Sequence, residues 1–318
     1  MVKVGRNAQL MVGEESSYGS LVTPDRSYEF RTEGLQRSIN RIESQAIRKG
    51  ARLLRSDRWA PGQEITEGSI TAEIAYQSFG LWLKHALGAV SVNETVAGEV
   101  YEHTYTLGDL EQHSLTAQVG LDDIPKTYSG IVINEWTLQT GVDEFATLDL
   151  SLSGREEDLA EPLAAVNYPD PLTLLPFVHA SLNIAGSEIL VNQATISGNN
   201  QMTTGRHRLG SSLPRRPVED SYREITGNVN ADFDSLTQYN RYVNGEEAQL
   251  VLAWVGPEIG STGENYELRA TLNVRSDGQT PTVGGFEEIR QEPSFKVINP
   301  ADGSPDVELL YRTSDAAP

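Results

Sequence analysis

Apolar and polar residues alternate along most of the chain, which is the pattern of β-strands whose two faces meet different environments. In the clearest run, residues 68–75, apolar Ile70, Ala72 and Ile74 share one face and polar side chains occupy the other. Turns rich in Gly and Asp separate the runs, as in antiparallel sheets. Two hairpins are predicted at 26–43 and 177–196, and further strands at 101–107, 115–121, 130–138, 146–152, 224–233, 249–255, 266–274 and 294–298.

Two short segments show helical spacing instead. After Gln77, apolar residues recur at i, i+3, i+4, i+7 and i+8, and Gly88 follows where a helix commonly ends. This stripe predicts a helix packed over a sheet, in preference to a cofactor-binding segment. A weaker stripe precedes Gly245. The stripe residues are Phe79, Trp82, Leu83, Ala86 and Leu87 in the first segment, and Leu236, Tyr239, Asn240 and Val243 in the second.

The step from strand to helix occurs twice, which indicates a diverged duplication. Residues 227–233 (GNVNADF) follow residues 68–74 (GSITAEI) at a distance of 159 residues, half of the 318-residue chain. A long basic segment precedes each copy. We predict a mainly β protein with two tandem β-sandwich or partial-barrel domains, each with one short flanking α-helix and a long inter-strand loop. The predicted parts are an N-terminal arm at 1–24 that orders only against a partner, domain one at 25–155, a linker at 156–176, domain two at 177–299 and a C-terminal arm at 300–318.

Composition narrows the function classes. The chain has no cysteine, which excludes disulfides and thiolate sites. It carries 45 acidic and 25 basic residues, a net charge of −20, which disfavours tight wrapping of nucleic acid. No apolar run approaches the roughly 20 residues that cross a bilayer, and the first residues lack the apolar core of a signal peptide. We expect a protein that stays in the cytoplasm or joins a particle assembled there.

No catalytic constellation emerges from the motifs. The sequence has no Gly-rich phosphate loop, nucleophile elbow, HExxH helix or EF-hand loop. His103 and His113 could bind zinc or nickel together with nearby carboxylates. We favour the simpler interpretation, two solvated turn histidines, and predict no metal, no cofactor and no enzymatic activity. The nearby carboxylates are Glu102, Asp109 and Glu111.

Two basic loops are the most informative feature. In the first, five cations fall within eleven residues and are interleaved with Leu and Trp. Arg together with large apolar side chains is typical of interface anchors, so we predict that these loops contact the acidic surface of another copy of the chain. Nucleic-acid contact and a solvated loop are the alternatives. The predicted contact residues are Arg48, Lys49, Arg52, Leu53, Arg55, Arg58 and Trp59 in the first loop, and Arg206, Arg208, Arg215 and Arg216 in the second.

At these residues the chain resembles the major tail tube proteins of long-tailed bacterial and archaeal viruses. The resemblance rests on IESQAIRKGARLLRSDRWAPGQEITEGSITAEI at 42–74 followed by FGLWLKHALG, on Tyr128-Ser129-Gly130 leading into 131–138, and on LNIAGSEILVNQATISGNN at 182–200. It covers most of the chain as a pattern of spacing and order.

The resemblance implies a structural protein whose rings stack into a hollow tube for genome delivery. Single-domain members form hexamers, and duplicated members can form trimers with pseudo-sixfold symmetry. The implied partners are further copies of the chain, the tape measure protein and the tail terminator and tip proteins. The resemblance also implies that viral DNA passes without specific binding, that no membrane is involved, and that the protein is located in the virion tail, which is assembled in the host cytoplasm. Candidate residues facing the lumen are Ser69, Thr71, Glu73, Asn228, Asn230 and Asp232.

Two other classes remain open at this point. A β-sandwich adhesion or carbohydrate-binding module of a virion would present an exposed aromatic platform, whereas the four tryptophans are scattered. A hydrolase on a β scaffold would need a nucleophile or metal set that the sequence does not contain. The tryptophans are Trp59, Trp82, Trp136 and Trp254.

Overall fold

The computed structural model describes residues 3–232, 236–277, 290–291 and 293–318, and within these ranges the protein is mainly antiparallel β with two short α-helices. The predicted fold class is confirmed, while the division into tandem domains stays a prediction. The predicted strand end at Phe233 lies outside the described residues. The elements of the first half are β1 Ala8–Glu14, β2 Arg26–Tyr28, β3 Thr32–Glu33, β4 Gln36–Glu43, β5 Trp59–Glu73, α1 Gly80–Leu87, β6 Gly88–Val96, β7 Val100–Leu107, β8 Leu115–Leu121, β9 Ile124–Gly141, β10 Thr147–Gly154 and β11 Glu156–Asp158. Those of the second half are β12 Ala180–Ile184, β13 Ser187–Glu188, β14 Val191–Asn199, β15 Met202–Thr203, β16 Val218–Glu219, β17 Glu224–Asp232, α2 Thr237–Asn244, β18 Glu247–Glu258, β19 Asn265–Ser276, β20 Arg290–Gln291, β21 Ser294–Val297 and β22 Val307–Thr313.

One antiparallel sheet runs through both halves of the chain. Its strand order is β4–β5–β10–β9–β14–β17–β21. β9 joins the halves, because residues 135–139 pair with β10 on one edge and with β14 on the other. The two halves are therefore held together by a ladder of backbone hydrogen bonds and not by a linker alone.

Two further groups of strands complete the fold. In one, the order is β12–β18–β19–β22–β7–β6, so β22 lies between a strand of the second half and a strand of the first. In the other, β1 lies between β2 and β8, and β8 pairs with the beginning of β9. A single hydrophobic cluster of buried residues draws on both halves.

Helix α1 belongs to this core, as its apolar stripe predicts. Trp82 is 1% exposed, and its ring lies 5.2 Å from the ring of Tyr28. Phe79, just before the helix, meets the same Tyr28 ring edge to face at 5.9 Å. All five residues of the predicted stripe are buried. Helix α2 forms where the weaker stripe predicts it, with Gly245 in the left-handed region at its end, but buries none of its residues.

The prediction that the N-terminal arm orders only against a partner is wrong for strand β1. Leu10 and Val12 are fully buried between β2 and β8. The apolar run Leu10-Met11-Val12 within QLMV is too short to signal a buried strand by itself, which explains the missed prediction. Glu15, which follows, is 3% exposed and accepts four hydrogen bonds. Their donors are the hydroxyls of Ser114 and Thr116 and the backbone amides of Gly19 and Gly130.

The predicted C-terminal arm and linker also contain strands that pair within the chain. β22 pairs with β19 and β7, and its Tyr311 is fully buried, with the hydroxyl donating to the Ala75 carbonyl at 3.1 Å. Within the predicted linker, Glu156–Asp158 is strand β11. Farther along, Ala164 exchanges hydrogen bonds with the side chains of Gln9 and Gln118. β11 and β22 thus pair with strand edges of their own chain, whose amides and carbonyls would otherwise lack partners.

Both predicted hairpins differ from the observed pairing. β2 pairs with β1, whereas β3 and β4 pair with β5, so the segments within 26–43 are not each other's partners. The long hairpin is β4–β5, with the basic loop at its tip. In the predicted hairpin at 177–196, β12 and β13 share only two residue pairs. The strand that follows, β14, pairs with β9 and β17 instead of β12.

Candidate assembly surfaces

The first basic loop lies at the end of a hairpin that stands away from the core. We call residues 36–61 the first arm; it contains β4, the loop 44–58 and the start of β5. Every residue of the first arm is exposed. β4 pairs with β5 along one edge and with no other strand of the described chain. A hairpin without a core on either face is marginal by itself, which indicates a surface that assembly covers.

The side chains of the first arm fit a contact with another protein. Ile47 and Leu53 are 101% and 87% exposed, values typical of side chains that touch nothing. Arg55 pairs with Asp57 at 2.7 Å, whereas the other loop cations form no side-chain hydrogen bond or ion pair with the described residues. Such an exposed mixture of Arg and large apolar groups marks an interaction site. The exposed apolar residues of the arm are Ile39, Ile42, Ile47, Leu53, Leu54 and Trp59, and the loop cations are Arg48, Lys49, Arg52, Arg55 and Arg58.

The second basic loop has the opposite environment. We call residues 200–223 the second loop; it lies against the first half of its own chain. Ser212 accepts from the Glu64 amide at 2.9 Å through its carbonyl and donates to the Glu64 carboxylate at 2.8 Å through its hydroxyl. Arg223 donates to the carbonyls of Leu87, at 2.8 Å, and Gly108, and pairs with Glu219. These contacts cover the C-terminal end of α1 and the turn after β7.

The four arginines predicted as contact residues in this loop divide into two pairs. Arg206 donates to the Arg216 carbonyl at 2.9 Å, and Arg216 donates to the Leu110 carbonyl at 2.7 Å. Both therefore hold the loop to its own chain. Arg208 and Arg215 are exposed, and for these two the contact with another copy stays a prediction.

The two halves also differ in the edge strand beside each loop. β14 precedes the second loop and is paired on both sides, with β17 and with β9 of the first half. β4 precedes the first loop and, within the described chain, is paired on one side only. The 159-residue offset carries β4 onto 195–202, which overlaps β14. At this offset, the edge strand of the second half is paired on both sides, whereas that of the first half has one partner among the described strands.

The residues predicted to face a lumen lie on one polar face of the continuous sheet. Ser69, Thr71 and Glu73 are exposed or half-buried, while the intervening Ile70 and Ala72 are buried. Asn228 and Asn230 lie on the same face of β17, and of Asp232 only the backbone is described. Register extends this face across the neighbouring strands. The aligned rows are Ser69–Ser151–Glu135–Asn199–Glu224, Thr71–Asp149–Thr137–Ser197–Thr226–Lys296 and Glu73–Thr147–Gln139–Thr195–Asn228–Ser294.

These rows contain hydroxyls, amides and four carboxylates, with one lysine at the end of a row. Asp149 accepts a hydrogen bond from Thr71, and the Thr137 and Ser197 hydroxyls bond at 3.0 Å across the junction of the two halves. Alternation along one strand could locate each polar face, but only the register shows which residues stand beside one another. Glu135, Asp149 and Ser197 were missed for that reason.

The histidine pair considered as a metal site does not form. His103 is fully buried in β7 and bonds the Tyr105 hydroxyl and the Asp315 carbonyl, at 3.2 and 2.9 Å. It is not a solvated turn residue, so that part of the interpretation is wrong, and Glu102 pairs with Arg312. His113 instead lies against His85, with ring centroids 5.1 Å apart.

His85 and His113 meet the carboxylate of Glu14 at the end of β1, and Lys84 contacts the same carboxylate at 2.6 Å. The hydrogen bond from His85 lowers the pKa of Glu14 to about 2, with a smaller contribution from Lys84. Burial lowers the pKa of His85. Burial, followed by the neighbouring His85, lowers the pKa of His113 to about 4.

The tryptophans do not form a carbohydrate-binding platform. Trp82, Trp136 and Trp254 are buried, and Trp59 is the one exposed member of the four. Stacking on sugars requires exposed aromatic faces, and among the tryptophans only the first arm supplies one.

Comparison with known proteins identifies the family to which the chain belongs. Within the described ranges, neither helix combines the length and the apolar character needed to cross a lipid bilayer. No curated protein matches the chain. The sequence model of the phage tail tube protein family matches residues 5–297, which include the first arm, the second loop and the polar face. Because the match spans nearly the whole sequence, the chain belongs to the phage tail tube protein family.

Proposed function

We propose that three copies of this chain close each ring of a tail tube, and that the stacked rings form the conduit through which the viral genome leaves. Membership of the family makes the protein a structural component of the virion tail that assembles with copies of itself. The ring stoichiometry, the role of each surface and the passage of DNA are the proposed parts. The tape measure and terminator or tip proteins are proposed partners on the basis of the family resemblance.

One observation carries the proposal: the second half uses its loop and its edge strand on the first half of the same chain. A closed ring repeats one heterologous contact between successive units. If each half is one unit, three of the six contacts lie within chains and are represented by β14 on β9 and by the second loop on β5, α1 and β7. The other three join chains, and they require a free edge strand and a free loop.

The first half supplies both requirements. β4 offers an edge that no described strand occupies. The first loop offers cations and exposed apolar side chains to the next copy, a chain of net charge −20. We propose that β4 and the first arm contact the second half of the next copy, as β14 and the second loop contact the first half in this chain. Addition of a strand to an exposed edge is an ordinary mode of protein association.

The charge-reversal variant Arg48→Glu, Arg52→Glu and Arg55→Glu tests the arm. We expect a folded subunit that no longer forms rings or tubes under the electron microscope, since each contact loses a cation and gains a like charge. Arg208→Glu with Arg215→Glu, in the second loop, tests separately whether that loop also contacts another copy. Normal tubes from the first-loop variant would refute the role of the arm.

The mass of isolated rings tests the stoichiometry separately. Native mass spectrometry or the symmetry of a reconstructed ring should give three chains and six similar units. Six chains per ring, with the second half outside the wall, would contradict the trimer even if the arm proved essential.

We further propose that the polar face of the continuous sheet lines the channel. Hydroxyl, amide and carboxylate groups dominate its rows, and a wall of this kind repels phosphates and gives DNA few attractive contacts. Lysines or arginines along these rows would instead hold the genome. The face extends without interruption from β5 to β21, as a wall shared by both halves requires.

The absence of cysteine allows a direct test of the channel. Ser69→Cys and Thr226→Cys place single thiols on the polar face in each half, and Ser304→Cys places one on an exposed turn elsewhere. We expect a maleimide carried on a bulky polymer to label all three in free subunits. In tubes it should label only Ser304→Cys, and equal labelling of Ser69→Cys in tubes would exclude a lumenal position.

A further inference from the structure

We propose that Glu14, His85 and His113 form a zinc site that joins three separate elements of the first half. Glu14 ends β1, His85 lies in α1, and His113 lies in the segment between β7 and β8. A carboxylate oxygen and one nitrogen from each imidazole lie within 4.8 Å of one another. Among the described residues, no other group of three or more His, Cys, Asp or Glu side chains has this spacing.

The geometry is near that of a tetrahedral zinc site. Zinc binds imidazole nitrogen and carboxylate oxygen at about 2.0–2.2 Å, which separates ligand atoms by roughly 3.3–3.6 Å at tetrahedral angles. The His85 Nε2 and Glu14 Oε1 atoms are 3.2 Å apart. His113 lies in an irregular turn, so a small shift of this segment would bring its nitrogen to the same spacing.

The donor set also selects the class of metal. Two imidazoles and one carboxylate suit zinc and the neighbouring divalent transition metals, whereas magnesium and calcium prefer sites made of oxygen alone. The fourth position is open to a water molecule. Because the ligands come from a strand, a helix and a turn that are distant in sequence, the metal would clamp β1 to α1 and to the beginning of β8.

The site contains a buried nitrogen that no described residue satisfies. Nδ1 of His113 is buried and has no hydrogen-bond partner among the described residues, which is costly for a polar ring nitrogen. His85 is 2% exposed, and its Nε2 hydrogen is directed at Glu14. Zinc would take the place of this hydrogen once the proton of the neutral ring moves to Nδ1.

Lys84 gives the proposal an internal competitor. Its ammonium contacts Glu14 Oε1 at 2.6 Å, the oxygen that His85 also contacts. A zinc ion would occupy the same space and repel the ammonium, so the side chain would have to swing into solvent. Removal of the ammonium should therefore strengthen metal binding, whereas a simple ion-pair network without a metal role would only be weakened.

The experiment uses the full chain after removal of metals with a chelator. Titration calorimetry with zinc alone should show one ion per chain and a metal-dependent rise of the melting temperature. Cobalt should give the intense visible absorption of tetrahedral coordination. His113→Ala should weaken zinc binding by more than about 100-fold, because even changes around a metal site cost 10–100-fold. Lys84→Gln should tighten it.

His179→Ala is the matched control, because His179 lies outside this site, with its ring beside Tyr76, and should leave zinc binding unchanged. Circular dichroism checks that each variant is folded; if His113→Ala fails to fold, Lys84→Gln and the cobalt spectrum decide. Absence of saturable binding, equal binding by His113→Ala, or weaker binding by Lys84→Gln would each overturn the proposal.

Discussion

The first arm and the second loop correspond to each other at the 159-residue offset of the predicted duplication and have opposite surroundings. The second loop is anchored to its own chain by side chains such as Ser212 and Arg223, while residues 36–61 are exposed throughout. The helices show a related contrast, because α1 is buried and α2 buries no residue. The two halves thus share the order of strand, loop, strand and helix, while the contacts that each half makes within the chain differ. A segment without contacts in the isolated chain is where an interface between chains is expected.

Substitutions in the two helices should give the largest difference in the free energy of unfolding. Trp82→Ala should lower the free energy of unfolding by roughly 3–5 kcal/mol, since it opens a cavity beside Tyr28 in a packed core. Val243→Ala on α2, where the side chain is 60% exposed, should change stability by less than about 0.5 kcal/mol. Urea denaturation of the unassembled subunit measures both. A loss below about 1 kcal/mol for Trp82→Ala would mean that the stripe faces an interface instead.

The next largest effect on the free energy of unfolding should come from the side chains that hold the second loop to its own chain. Arg223→Ala removes bonds to two carbonyls and the pair with Glu219, and the arginine side chain is only 10% exposed. We expect a loss of about 2–3 kcal/mol, because hydrogen bonds from a buried charge are strong and their acceptors remain. Arg52→Ala in the first loop is the control and should leave the stability of the subunit unchanged. Equal losses in the two variants would remove the contrast between the loops.

The sequence predicted what depends on local pattern. The alternation of Ile70, Ala72 and Ile74 and the spacing of Trp82 and Leu83 identified a strand and a helix whose buried faces are confirmed. Local pattern carries no information about which strands become neighbours, so the correct partner of β4 and the strand at the C-terminus were missed. Short apolar runs such as QLMV are ambiguous until another element covers both faces.

The residues of the candidate surfaces also divide into those that local pattern could predict and those that it could not. Charge and apolar content identified the first loop, and alternation identified one polar face on β5 and one on β17. The partnership of His113 with His85 and Glu14 depends on contacts between residues 14, 85 and 113, which no spacing rule connects. The same limit applies to Arg206 and Arg216, because their composition does not reveal whether the partner carbonyl belongs to the same chain.

The first half should contribute to the dependence of stability on pH, because Glu14, His85 and His113 cluster there. The pKa of His113 is about 4 in the folded protein and about 6.5 ordinarily, so the folded state binds fewer protons between these values. Its contribution to stability is complete above about pH 7 and is lost as the pH falls through 6.5 towards 4. Glu14, with a pKa of about 2, acts in the same direction at lower pH.

Partial exposure limits this effect to the order of 1 kcal/mol. His113→Gln should make the fall in the stability of the subunit between pH 7 and pH 4 shallower than in the parent, both in metal-free buffer. An unaltered slope in this variant would show that other groups control the acid sensitivity.

The smallest effect on stability should accompany the clearest effect on assembly. Leu53 and Leu209 occupy the tips of the two loops and are 87% and 102% exposed. Replacement of either by serine should change the free energy of unfolding by less than about 0.5 kcal/mol, because neither side chain is packed in the subunit. If the first arm is the contact between chains, Leu53 becomes buried on assembly and Leu53→Ser should shift tube formation to higher protein concentration. Leu209→Ser should assemble as the parent does, because the second loop is already anchored within its own chain. Light scattering measured against protein concentration tests both variants. An equal shift for the two would show that the two loops contribute equally to assembly, although their surroundings in the subunit differ.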